Sequence, residues 1–202
     1  MSLAHLKIRN FRNLASVDLD LAPGVNLFHG SNAQGKTAIL EAVGYLATST
    51  SQRSNRDEDL IRWNEEAAFV QGVLKREEEK TIEFGLSRQG KQIKIGGVAL
   101  KRIGDLYGNL RVVLFAPEDL EIISGSPTER RRFIDMTRAQ VEPEHITRLQ
   151  KYQQVLKSRN QLLKRAQEKP IDPAELEIWD TQLVSAAVPI IEARIRTAQE
   201  IS

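Results

Sequence analysis

Cysteine is absent from the 202-residue chain, which excludes a disulfide framework, a thiol nucleophile and any thiolate-held zinc or iron–sulfur centre. Histidine is scarce: His5, His29 and His145 are far apart in sequence and do not make a histidine-based metal site. Aromatic residues amount to 5% and no ladder of them runs through the basic stretches, which disfavours a platform for stacking single-stranded bases. Trp63 and Trp179 read as packing residues. There is no excess of one charge either. The 29 Lys and Arg against 27 Asp and Glu leave +2, so binding to a polyanion by bulk charge is excluded and any such contact must come from local clusters. The longest apolar runs, Val112 to Ala116 and Ala186 to Ile191, fall far short of the roughly 20 residues a spanning helix needs. The N-terminus has no secretory signal pattern. The expectation is a soluble, cytoplasmic protein with no membrane partner.

What the chain does have is a sequence of distinct periodicities. Leu6 and Ile8, then Val17, Leu19 and Leu21, then Val25, Leu27 and Phe28 alternate as strands do, with Ala22-Pro23-Gly24 as a turn. After Gly30 the period becomes helical, with Ile39, Leu40, Val43 and Leu46 expected on the buried face. Thr48 to Asp59 reads as an exposed polar loop. Ala68–Leu74, Thr81–Leu86 and Gln92–Leu100 predict an antiparallel meander, and Arg111–Phe115 predicts a strand buried on both faces. Ser126-Pro127-Thr128-Glu129 and Asp172-Pro173-Ala174-Glu175 are helix starts with a side-chain cap and proline in the first turn. The helix from Ile146 to Leu163 and the one containing Trp179 and Ile190 form the simplest kind of helical hairpin, the second interrupted by Pro189, which predicts a kink.

Gly30-Ser31-Asn32-Ala33-Gln34-Gly35-Lys36-Thr37 fits G-x-x-x-x-G-K-[ST] and lies between an apolar run and an apolar-faced helix. That context separates a phosphate-binding loop from a chance glycine-rich turn. The loop backbone turns its N–H groups toward phosphate oxygens and the helix N-terminus adds positive potential. Lys36 is placed to reach the outer phosphates of ATP and Thr37 to ligate Mg²⁺. Hydrolysis needs more: an acid closing an apolar strand to hold the metal, and a group to orient water. Glu118 and Asp119 are the only acids after such a run, and they sit beyond Ala116-Pro117, three and four residues past Phe115. They read as a loop peripheral to the nucleotide, and the catalytic set is incomplete.

Charge is concentrated in the helical part. Between His145 and Pro170 seven basic residues face one acid, a local +6, and from Ile171 to Ser202 six acids face two arginines, a local −4. Attraction between antiparallel helices explains the pattern, and so does a basic arm for duplex phosphates formed by Arg148, Lys151, Lys157, Arg159, Lys164 and Arg165. Arg130, Arg131 and Arg132 admit the same two explanations, with Glu129 and Asp135 nearby. His29, just before the phosphate loop, reads as a strand-end residue.

Lys7-Ile8-Arg9-Asn10-Phe11-Arg12-Asn13 resembles the opening of SMC-like ATPases. Asn32 to Thr37 running into Leu40-Glu41-Ala42, with Ser51-Gln52-Arg53, Asp59-Leu60-Ile61, Leu114 to Leu120 and Gly125 to Asp135, is similar to the RecF family, in order along the whole chain. The resemblance implies an α/β fold, an ABC-type P-loop ATPase head with a mixed sheet around the phosphate-loop helix, an antiparallel meander and a projecting helical hairpin arm. It divides the chain into 1–125, part of the head, and 126–202, the arm. It implies ATP and Mg²⁺ as cofactors, an ATP-dependent homodimer, gapped or junction DNA as target, and RecR and RecO as partners in loading RecA. By position, Arg12, Asn13 and Arg53 lie close to nucleotide, and Glu118 and Asp119 stand in the place of the glutamine loop.

No Leu-Ser-Gly-Gly signature and no apolar strand closed directly by an acid occur in the sequence. The resemblance implies that these follow the arm, so the chain is expected to be an N-terminal part that binds nucleotide weakly and hydrolyses little. Two other readings stand beside this one: a generic P-loop nucleotide kinase or NTPase, and a non-catalytic module whose arm docks a partner protein.

Overall fold

The computed structural model describes every residue except Met1, Asn55, Arg76, Pro117, Glu118 and Leu120. It divides into two compact units, 1–120 and 121–202. The first is built on one six-stranded sheet. Its strands are β1 (Ser2–Phe11), β2 (Leu14–Asp20), β3 (Ala67–Lys75), β4 (Lys80–Ser87), β5 (Gly90–Ile95) and β6 (Val98–Ala99), in the order β2-β1-β3-β4-β5-β6. Every pairing is antiparallel, with a bulge in β1 between Leu3 and His5. Alternation drives the layering: Leu6 and Ile8, Val70 and Leu74, and Ile82, Phe84 and Leu86 are all buried on one face.

Helix α1 (Lys36–Thr48) covers that face. Its buried residues are Ala38, Glu41, Ala42, Tyr45, Leu46 and Ala47, while Leu40 is exposed and Ile39 and Val43 are half-buried. The buried stripe is therefore turned by about one residue, or roughly 100°, from the expected one. Small alanines explain the choice, since they let the helix approach the sheet. At Gly72 on β3 a Cβ would fall 2.7 Å from Leu46 Cδ1 and 2.9 Å from Leu3 Cδ1. Tyr45 fills the centre, edge-on to Phe84 at 5.0 Å and to Phe11 at 6.4 Å between ring centroids. Burial, reinforced by a hydrogen bond to Asp57, pushes its hydroxyl well above the ordinary tyrosine range.

The meander forms as expected, but two other strands do not. Residues 25–29 and 111–116 carry no ladder, and Val25, Leu27, Val113 and Phe115 are strongly exposed. Apolar, β-prone composition supplies only half of a strand, the other half being a ladder, and no ladder among the described residues includes either run. Trp63, read as a packing residue, is 87% exposed in a turn ending at left-handed Asn64.

The second unit is helical: α2 (Glu121–Ser124), α3 (Pro127–Val141), α4 (Glu144–Ala166) and α5 (Pro173–Ile201). Both expected caps form, Ser126 accepting from the Glu129 amide and Asp172 from that of Ala174. Helix α5 is helical through Pro189 to Ile201. Helices α4 and α5 pack together, and Ile146, Val155 and Leu162 of α4 and Ala186, Ile190 and Ala193 of α5 are buried. A polar clasp joins three helices. Buried Asp135 on α3 accepts from Arg194 of α5 at 2.9 and 2.8 Å and lies 3.0 Å from His145 Nε2 of α4. Burial would raise the Asp135 pKa, but the hydrogen bonds and charges of His145 and Arg194 outweigh it and hold the carboxyl below its usual range. No helix among the described residues is long and apolar enough to cross a membrane.

Candidate functional site

The glycine-rich loop, residues 30–37, leads into the N-terminus of α1. Its shape rests on three residues with positive φ: Gly30 (143°), Ala33 (64°) and Gly35 (92°). Gly35 is required twice. A side chain disfavours that φ, and a Cβ would meet Leu14 Cδ2 at under 3.0 Å. The Lys36 ammonium folds back over the loop, donating to the carbonyls of Gly30 at 2.8 Å and Ser31 at 2.7 Å. Thr37 is exposed at the first turn of α1, which contains no acid to cancel the positive end of the helix. Ser31, Asn32, Ala33 and Gln34 are exposed as well.

These features suit a phosphate chain: a cation, a hydroxyl and a helix N-terminus on one loop. Among the described residues no group of three His, Cys, Asp or Glu side chains could hold a metal. A magnesium ion here would instead rest on Thr37 and on phosphate oxygens, as this hard ion commonly does.

The loop is braced by the two-residue turn between β1 and β2. Asn13 Nδ2 donates to the Ala33 carbonyl at 2.7 Å. Arg12, itself left-handed at φ 54°, makes a bidentate pair with Glu41 of α1 at 3.0 and 2.6 Å and donates to the Asp59 carbonyl at 2.9 Å. Arg53 Nη1 lies 3.9 Å from the same Glu41 carboxylate. Of the three residues expected near nucleotide, Asn13 thus touches the loop directly, while Arg12 and Arg53 meet at Glu41 of α1, with most of the Arg12 donors engaged within the protein.

Glu41 is the residue that the sequence pattern conceals. It is 4% exposed, at a helix position that apolar periodicity assigns to solvent. The signal for it is the nearby arginines, since a buried carboxylate is tolerated where charge and hydrogen bonds are supplied. Ser51 donates to it as well and accepts from the amides of Arg53 and Ser54. The segment expected to be an exposed loop is therefore partly ordered, with Ser49 and Ser51 buried and a 3-10 turn at Asp57–Leu60.

Asp119 turns back on its own loop, its carboxylate accepting from the Ala116 amide at 2.7 Å. Glu118 lies outside the described residues. In the helical unit the six basic residues separate by type. Arg148 pairs with Glu142 at 2.6 Å and Glu144 at 3.2 Å, Arg159 with Asp180, and Arg165 with Glu175 at 2.9 Å. Lys151, Lys157 and Lys164 are exposed and make no ion pair among the described residues. Lys157 and Lys164 lie one heptad apart on a face shared with Gln153, Asn160 and Gln161.

Known proteins are similar to this chain in sequence and fold. A family model described as an AAA domain matches residues 5–186. The DNA replication and repair protein RecF of Listeria innocua is 40% identical over 203 aligned residues, covering 100% of this chain and 55% of the relative. A solved structure of the recombination mediator protein RecF-ATP in the RecFOR pathway superposes with a TM-score of 0.93 at 36% identity, covering 98% of this chain and 54% of that one. The Smc head domain from Pyrococcus furiosus shares the fold, with a TM-score of 0.50 at 18% identity, covering 99% of this chain and 62% of that one. The chain thus spans about half the length of the relatives it matches. The fold is that of an ABC-type ATPase head of the α/β class, and the chain, similar along its whole length to RecF proteins, belongs to the AAA-domain family.

Proposed function

We propose that the chain binds ATP at residues 30–37, with Gly30, Ser31, Asn32, Ala33, Gln34 and Gly35 supplying the backbone cradle, Lys36 the outer-phosphate cation and Thr37 a ligand for Mg²⁺. The observation that carries this is the loop itself: its left-handed turns, the inward-folded Lys36 and the uncapped start of α1. Arg12, Asn13 and Arg53 bound the site on one side. When bound, the metal neutralises phosphate charge, and the chain's own part is to seat and orient the phosphates. The reading extends to binding and not to turnover, because no apolar strand in this sequence closes directly on an acid.

We further propose that 1–125 acts as part of an ATPase head and 126–202 as its arm, in a RecF-type repair protein that pairs with a second copy around ATP and works on duplex or gapped DNA with RecR and RecO. Lys151, Lys157 and Lys164 are the arm residues suited to phosphate contact. The ion pairs of Arg148, Arg159 and Arg165 favour the other explanation of their charge, attraction within the helical unit.

Titration with a fluorescent ATP analogue tests the first reading. Lys36→Met should lower affinity at least tenfold, and equal affinity would remove the phosphate-loop assignment. Duplex DNA retention across a salt series tests the second. Replacing the three lysines with alanine should flatten the salt dependence by up to about 0.9 logarithmic unit for each phosphate no longer neutralised, and an unchanged slope refutes the lysine contacts.

A further inference from the structure

The segment before the phosphate loop contributes more than a strand. The β1–β2 turn is tied on three sides: Asn10 Nδ2 donates to Glu65 at 3.0 Å, the Arg12 amide donates to the Leu60 carbonyl at 2.7 Å, and the Arg12 guanidinium grips Glu41. Asn10 and Arg12 both occupy left-handed backbone, at φ 50° and 54°, without being glycine. Such conformations persist where surrounding contacts over-determine them. Among the described residues, the one side-chain bond from this turn to the phosphate loop is Asn13 to the carbonyl of Ala33, itself left-handed.

We propose that Glu41 is a positioning residue for the phosphate loop: its buried carboxylate fixes the strained turn through Arg12, and the turn, through Asn13, holds Ala33 in the conformation that faces the loop amides inward. Glu41 acts at one remove, because its hydrogen bonds go to Arg12 and Ser51. Arg12 is thereby a strut held between α1 and the Asp59 carbonyl. The same carboxylate restrains the segment carrying Arg53 through Ser51, so one charge organises the phosphate loop and the loop beside it. This rests on the reading of residues 30–37 as a nucleotide site.

Two readouts test it on the full chain: hydrogen exchange of amides 31–37 without nucleotide, and affinity for a fluorescent ADP. Asn13→Ala and Glu41→Gln should each speed exchange in the loop and weaken ADP by about five- to tenfold, the equivalent of one hydrogen bond. Together they should do little more than either alone, because they break one chain of contacts. Arg12→Lys keeps the cation near Glu41 but loses the fork, and should reproduce the effect if Glu41→Gln fails to fold. Glu41→Gln or Arg12→Lys leaving loop exchange unchanged would overturn the proposal, as would strictly additive effects of the pair. If the unmutated chain binds ADP no better than Lys36→Met, the nucleotide reading falls, and loop exchange alone still decides whether Glu41 positions the loop.

Discussion

Replacing Gly35 with alanine adds one methyl group at a point where the structure resists it in two separable ways. The backbone stands at φ 92°, and holding a residue with a side chain in left-handed geometry costs about 1–2 kcal/mol. The new Cβ would also fall inside contact distance of Leu14 Cδ2, with Leu14 Cγ at 3.1 Å and Asn13 Oδ1 at 3.2 Å. Leu14 is 8% exposed and has little room to retreat, so forcing it off its rotamer adds about 1–3 kcal/mol. The total is about 2–5 kcal/mol. Leu14→Ala, itself costing about 2–5 kcal/mol, removes the second obstacle but not the first. Gly35→Ala introduced into that background should then cost only the backbone component, about 1–2 kcal/mol. Urea unfolding read by tryptophan fluorescence, performed on the four members of the cycle, measures both numbers. Equal costs in the two backgrounds would refute the steric part, and a cost below about 0.5 kcal/mol with Leu14 truncated would refute the backbone part.

Asp135→Asn should destabilise the helical unit by about 2–4 kcal/mol at neutral pH by leaving Arg194 without its carboxylate partner. Because the folded pKa of Asp135 is held below its ordinary 3.8, this contribution is fully present above that value and is lost as pH falls through the folded pKa. Denaturation midpoints of the variant and the parent should therefore converge in strong acid, and a constant gap would contradict the pairing. Gly72→Val, driven against Leu46 and Leu3, should lower stability by about 1–3 kcal/mol or more in urea unfolding. Ser126→Ala removes the α3 cap and should cost about 1 kcal/mol, checked by thermal melts. A double-mutant cycle on Arg159 and Asp180 should give a coupling of about 0.5–1 kcal/mol that shrinks with salt.

Local chemistry is the part of the fold that the sequence makes legible. The meander and both proline-led helix starts each depend on residues within a few positions of one another, and each forms where its pattern lies. What depends on a distant neighbour is harder to see. Val25 to Phe28 and Val112 to Phe115 have strand composition, but pairing is a property of two segments. The face of α1 is misjudged when bulk is taken as the sign of burial, because the sheet accepts the alanine side of the helix opposite Gly72. Glu41 escapes notice for a related reason, since its partners Arg12 and Ser51 come from elements 29 and 10 residues away. At the candidate site, the spacing singles out Lys36 and Thr37, and only the structure reveals the bond from Asn13 to Ala33.

The separation of arginine from lysine along α4 has a consequence for how this surface tolerates change. Arg148, Arg159 and Arg165 each direct guanidinium N–H groups at particular carboxylates, so lysine in their place keeps the charge and loses that directed geometry. Lys151, Lys157 and Lys164 carry no such fit and present charge alone. A lysine here can become an arginine, or shift by one helical turn, with little effect on the helices beneath. Over many substitutions, then, the outward pattern of positive charge is free to wander while the hairpin that displays it stays fixed.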